Sequence, residues 1–300
     1  MRIREVLRNE KGNIVLTSAF LFVVLTAFAG LVVDGGHLYL TKSNLQKAAN
    51  AAVLSGGQEL TRDSEEPTRD IVHDILEAHD AEAYLQTTDI ELKKSVKVSL
   101  TKPVELFFSK IVGVESVDVS VSSKAQLGVM SRAFGAAPIG IDDSIPLVFG
   151  QEYVLKVDEE GVDTGFFGAL ALEGPGAKLY EDNLLHGFDG ELKVGDIVDT
   201  QTGNIAGPTK SAIDILVNSC SDPNERDCPR VLLIPVYVPY NVQSNQMKQV
   251  KIVGFAYFYI SEPMNSNDKT IKGKFLRRVG TGFEDDSLEN NGALTIRLVE

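Results

Sequence analysis

The chain has 300 residues, 43% of them apolar, and a formal net charge of −13. That composition is ordinary folded protein, long enough for one or two cores. The acidity excludes a nucleic-acid partner, whose phosphates require clustered Lys and Arg, and it argues against a folded part lying flat on anionic lipid.

The first predicted feature in chain order is a basic leader, residues 1–12, with Arg2, Arg4, Arg8 and Lys11 set against Glu5 and Glu10. It runs into an apolar segment from Ile14 to Val33, interrupted by Thr17, Ser18 and Thr26. At about 1.5 Å per helical residue this segment is roughly 30 Å long, the thickness of a bilayer's hydrocarbon layer. It is expected to be a transmembrane helix with Ile14, Leu21, Val24, Leu25 and Val33 among the anchoring residues. The competing reading is a cleaved signal peptide, which has a shorter apolar core followed by a small-x-small site. Here Ala27-Phe28-Ala29 lies inside the run, so an uncleaved anchor is expected. The positive leader favours a cytoplasmic N-terminus, which places the remainder outside the cytoplasm, extracellular or periplasmic, on a single-pass cell-membrane protein.

Beyond the span, Leu38, Leu45 and Ala52 recur every seven residues, with Ala48 and Ala49 on the same face. This spacing predicts a helix that continues out of the membrane to about residue 60 and is weakened or ended at Gly56-Gly57. Its narrow stripe of small residues permits close approach, either to the chain's own folded part or to a partner's helix.

Residues 61–134 read as a small α+β unit. A polar break precedes a helical pattern from Arg69 to Leu85. Ile90, Leu92, Val96, Val98 and Leu100 alternate as a strand. Pro103 to Val112 is expected to be a short helix with proline near its first turn. Val117, Val119 and Val121 begin a second strand that extends toward Val129.

Gly135-Ala136-Ala137-Pro138 marks a boundary, and residues 135–300 read as a strand-rich distal domain. Strands are expected at Tyr153 to Val157, Phe166 to Leu172, Val231 to Val238, Val250 to Ile260 and Leu294 to Val299. Helices are expected around Tyr180 to Leu185 and from Lys210 to Asn218. The predicted fold class is therefore α+β, a long N-terminal transmembrane helix extending into an extracytoplasmic part.

Chemistry-bearing patterns are few. Cys220 and Cys228 flank a charged, turn-forming segment, which suits a disulfide in an oxidising compartment; a metal pair or two free thiols are the alternatives. Asp118, Ser120 and Ser122 fit the D-x-S-x-S pattern of cation-dependent adhesion sites. That site requires the strand to stop before Asp118, whereas the valines alternate through it and put all three polar residues on one solvent face. His73 and His79, six apart on a helix, diverge by about 120° and suit a solvated surface better than one metal site. No G-x-S-x-G, P-loop or G-x-G-x-x-G pattern occurs, and His37 and His186 have no catalytic setting. Neither an enzyme nor a cofactor is expected.

Glu10-Lys11-Gly12, the apolar span, Val33-Asp34-Gly35-Gly36-His37-Leu38-Tyr39 and Leu45-Gln46-Lys47-Ala48-Ala49-Asn50-Ala51-Ala52 together resemble the TadE/TadG-like N-terminal region of Flp pilus assembly, over about residues 9–60. Asn50 stands where that family commonly has Asp. The resemblance implies a membrane-anchored structural or accessory component of a tight-adherence (Flp, type IVc) pilus or secretion assembly. Its partners would be the lipid bilayer and other proteins of that assembly, with the distal domain reaching a partner or the cell wall. A pilin-like subunit cut after Gly12 would resemble substrates with Glu at the fifth position of the mature chain, but that position here is Thr17. A membrane-stalked adhesive or ligand-binding domain is the remaining alternative.

Overall fold

The computed structural model describes residues 10–156, 167–201, 205–243, 246–265 and 269–299. The leader residues Arg2, Arg4 and Arg8, together with Val157 and Phe166, lie outside them.

One helix, α1 (Glu10–Gly56), carries the apolar span and the alanine-rich segment without a break. Gly35 and Gly36 do not interrupt it, since each glycine costs only about 1 kcal/mol of helix propensity against long helical flanks. It ends at Gly56, where a 3-10 turn, Gly57–Glu59, takes over. A short amphipathic helix follows, α2 (Glu66–Ala78), with Pro67 in its first turn and Val72 and Leu76 buried. It stops earlier than its periodicity suggested. Asp80 has φ of 54°, a turn conformation that breaks the helix, and Leu85 already opens a strand.

The membrane-proximal sheet begins with β1 (Leu85–Glu91), β2 (Ser95–Glu105) and β3 (Ser116–Ala133). The alternation read as one strand is a hairpin of two, turned at Lys93 with φ of 63°. The short helix expected from Pro103 is corrected. Pro103 pairs with Asp118 inside the β2–β3 ladder, and only Ser109–Val112 forms a 3-10 turn. Pro103 lies past the end of β1, whose pairing stops at Leu100, so its missing N–H falls where β2 has a free edge.

The distal strands are β4 (Ile139–Asp142), β5 (Glu152–Lys156), β6 (Phe167–Ala169), β7 (Leu192–Lys193), β8 (Ile197–Asp199), β9 (Val231–Gln243), β10 (Gln246–Ile260) and β11 (Thr270–Leu276). Three more, β12 (Arg278–Val279), β13 (Phe283–Glu284) and β14 (Ala293–Leu298), close the chain. Among the described residues they form two seven-stranded sheets. The first runs β1-β2-β3-β14-β12, with β7 and β13 also on β3. The second runs β5-β11-β10-β9-β4-β6, with β8 on β10. The last strand in the sequence thus returns to the first sheet, Leu294 pairing with Val129 and Leu298 with Ala125.

Two helices, α3 (Ala177–His186) and α4 (Ala206–Val217), cover one face of the distal sheet. Thr209 Oγ1 joins them by donating to the Tyr180 hydroxyl at 3.1 Å, and burial pushes that phenol's pKa up. A further apolar cluster, including Met130, Leu192, Tyr237 and Phe255, draws on both sheets.

Candidate functional site at the membrane junction

The two halves of α1 meet different surroundings. Among the described residues α1 is the one helix long and apolar enough to cross a membrane, and only 6% of its apolar window is buried in the protein. Ile14, Leu21, Leu25 and Val33 are exposed and Val24 is half-buried. A core helix of a water-soluble protein would hide such a surface. Within this half the hydroxyls turn back on the helix. Thr26 Oγ1 donates to the Phe22 carbonyl at 2.8 Å, and Ser18 Oγ to that of Val15 at 3.1 Å. Lipid offers such groups no partner, so internal satisfaction is what a spanning segment requires.

The second half is buried. Leu45, Ala48, Ala49 and Ala52 sit in the core of the first sheet with Val53, Val96, Leu100 and Val121, and Leu38 is half-buried nearer the membrane. Gln46 Nε2 adds a polar tie by donating to the Ser122 carbonyl at 3.0 Å.

Asp34 stands at the boundary between these halves. It is only 2% exposed, and its carboxylate is filled by the loop after β2. The Phe107 N–H donates to Oδ1 at 2.9 Å and the Phe108 N–H to Oδ2 at 3.1 Å. Ser109 donates to Oδ2 through both its N–H and its hydroxyl, each at 2.7 Å. Charge-assisted bonds to an ionised acceptor are about twice as strong as neutral ones. One turn earlier, Gly30 lets Phe108 lie against the helix: a Cβ on Gly30 would come within 2.6 Å of Phe108 Cβ and Cγ. One turn later, His37 meets the Phe107 ring, centroids 5.4 Å apart. Gly30, Asp34 and His37 therefore form a seam on α1 into which residues 107–109 fit.

Sequence reasoning passed over this site because its two halves are 73 to 75 residues apart. The signals available were a lone carboxylate ending an apolar span and an unpatterned Phe107-Phe108 pair.

The other candidates are placed elsewhere. Cys220 and Cys228 are joined in a disulfide with Cα atoms 5.6 Å apart. The loop it closes straps the distal part to the membrane-proximal part. Arg278 donates to the carbonyls of Pro223 at 3.2 Å and Glu225 at 2.9 Å, and Arg62 binds both the side chain and the carbonyl of Asn224. Arg226 reaches Gln58, just past the end of α1. A cleft of about 450 Å³ lies here, with Arg62, Lys93, Arg226, Arg277 and Arg278 in its walls. Protein groups engage these arginines, Arg277 covering the Phe149 ring and Arg62 pairing with Glu59 at 2.7 Å, so the cleft is built as a joint. Burial holds the Arg278 guanidinium below its usual pKa, and burial raises the phenol of Tyr257 beneath it to about 12.

β3 runs straight through Asp118, Ser120 and Ser122, all exposed on one face, and Ser120 Oγ meets Thr101 Oγ1 at 3.0 Å. His73 faces Glu82 at 3.2 Å and His186 faces Asp182 at 3.3 Å, both at the surface and on different elements. Among the described residues no group of three or more His, Cys, Asp or Glu could hold a metal ion.

Residues 12–59 match the family described as "Putative Flp pilus-assembly TadE/G-like". Comparison with curated proteins and with solved structures gives no match. The matched segment coincides with α1 and the 3-10 turn after it, so it contains Gly30, Asp34 and His37.

Proposed function

We propose that the chain is a resident single-pass membrane protein of a Flp-type, tight-adherence pilus assembly, and that its role there is structural rather than catalytic. The observation that carries this reading is the continuity of α1. One helix is bare and apolar over its first half and forms the core of the folded part over its second, with no linker between them. Such a protein is held at a fixed height and tilt above the bilayer, and load on its distal sheet passes through packed core to the anchor. A flexible stalk cannot do that.

Retention of the anchor has its own support. Gly30 and Asp34 serve both the span and the fold, so a cut after Ala29 would place a charged amino group against Phe108. Thr17 lacks the carboxylate of processed pilin-like subunits, which favours an uncut leader. The basic leader supports a cytoplasmic N-terminus, and the disulfide suits a folded part in an oxidising compartment outside it. The distal sheet is then the surface offered to pilus proteins or the cell wall.

The test is to tag the full-length chain in a Flp-piliated host, sequence its mature terminus from the membrane fraction by mass spectrometry, and count surface pili after deletion. An uncut terminus, or one lacking only Met1, with pili lost on deletion is expected. A terminus at Asn13 would make the chain a processed subunit. A terminus at Gly30 with protein in the medium, or normal piliation after deletion, would remove the reading.

A further inference from the structure

We propose that the tip of the β2–β3 hairpin, Phe107 to Val114, is a second membrane contact, inserted in the interfacial layer of the leaflet from which α1 emerges. The proposal rests on α1 being the anchor, and the experiment below separates the two.

The hairpin's position comes first. From Gln46, which touches Ser122, the helix runs twelve residues back to Asp34, which touches Ser109. That is about 18 Å toward the apolar half. From Ser122 to the end of β3 at Ser116 is six residues, about 20 Å along a strand. The hairpin therefore descends beside α1 at the same pace as the helix. Its tip reaches the level of Gly30, which is three residues inside the apolar span and about 4.5 Å below its end. Asp34 and Gly30 hold it there at two successive turns.

The tip's composition fits that depth. Ile111 is 84% exposed, Phe107 65% and Phe108 45%, with Val114 also exposed. These residues belong to no apolar cluster of the described chain, whereas Leu106 immediately before them is buried. Contiguous exposed apolar side chains of this kind mark an interaction surface. The occupant follows from continuity, because the exposed surface of α1 at Leu31, Val32 and Val33 lies at the same level. Any bilayer that solvates those residues also reaches the tip. Most of the tip's N–H groups have partners within the protein: those of Phe107, Phe108 and Ser109 bond Asp34, and those of Ile111, Gly113 and Val114 reach the carbonyls of Phe108 at 3.1 Å, Lys110 at 3.2 Å and Ser109 at 3.1 Å. Lys110 can extend its charge to lipid headgroups. Although the whole chain is acidic, Glu105 and Glu115 lie at the hairpin's neck and the tip itself carries only Lys110. Phe side chains, like Trp and Leu, are the kind that interfacial segments bury at the boundary between headgroups and acyl chains. With α1 on one side and the tip on the other, the folded part would stand on two points and could not swivel about its anchor.

The chain contains no tryptophan, so a single introduced one reports its own surroundings. The full-length variants Val23→Trp, Ile111→Trp and Ile215→Trp would be reconstituted in phosphatidylethanolamine–phosphatidylglycerol vesicles with lipids brominated either near the headgroup or near the chain end. Val23 lies mid-span and Ile215 is exposed on α4. The expected result is blue-shifted emission for Ile111→Trp, quenched more by shallow than by deep bromine, with Val23→Trp quenched more by deep bromine and Ile215→Trp unquenched. If Ile111→Trp emits as Ile215→Trp does while Val23→Trp is quenched, the proposal fails and the anchor stands. Blue-shifted but unquenched Ile111→Trp emission that rises with protein density would mean a protein covers the tip, and overturns it as well. Loss of quenching at Val23→Trp would remove the anchor itself.

Discussion

The two halves of α1 share one backbone geometry and each buries or exposes an apolar surface, yet they dissolve in different media. Residues 14–33 are mostly Ile, Leu, Val and Phe, with side chains long enough to hide the helix backbone, and apart from Val24 and Gly30 the protein leaves them bare. Residues 45–53 contain four alanines among nine residues, three of the four buried, and here α2, β2 and β3 pack directly on the helix. Bulk suits lipid, which conforms to any shape; small side chains suit a close-packed sheet, where each methylene must have a place. The contrast teaches that side-chain volume on the apolar surface of one unbroken helix marks where the membrane ends and the fold begins. Asp34 is the hinge of that change, and its carboxylate is spent on the protein's own loop.

The comparison can be broken most forcefully from the sheet's side. Leu100→Ala, which hollows the core beneath the second half of α1, is expected to cost about 2–5 kcal/mol in thermal or denaturant unfolding of the solubilised chain. A cost near zero would mean that this half is not a core element. Next in size is the strap. Replacing both Cys220 and Cys228 by Ser frees a short loop and should cost roughly 2.5 kcal/mol by the chain-entropy account. Retained stability under reducing conditions in the wild-type chain would contradict it.

A single substitution made in both halves sharpens the contrast. Ala49→Leu overpacks a fully buried site and should destabilise by about 1–3 kcal/mol. Ala19→Leu, on the exposed half, should leave the unfolding midpoint unchanged and strengthen membrane retention. Equal effects at the two positions would erase the distinction. The smallest global effect is expected from Asp34→Ala. It leaves the helix intact but strands the N–H groups of Phe107, Phe108 and Ser109, so amide exchange should rise at those residues and not in β2 or β3. Exchange unchanged there would show that the carboxylate does not hold the loop.

Much of this was legible in the sequence because it is local. The apolar run, the seven-residue recurrence of Leu38, Leu45 and Ala52, and the valine alternation at 117–121 are patterns of one element facing one environment. Pro103 was misread because a proline beside hydrophobic residues fits a helix start or a strand edge equally well, and only the length of β1 settles which. The hairpin at Lys93 was missed because Ile90, Leu92 and Val96 preserve parity across the turn.

The sequence by itself determined that a helix of bilayer length adjoins an alanine-rich one, that an α+β part follows, and that two cysteines bracket a charged loop. Tertiary structure alone decided that β14 returns beside β3 and that the cysteine loop straps the end of α1 to the distal part. It also decided that Asp34 binds residues 107–109. These are pairings across tens to hundreds of residues. A single position records which face of its own element is apolar, but the partner across the gap is selected by the packing of the whole chain.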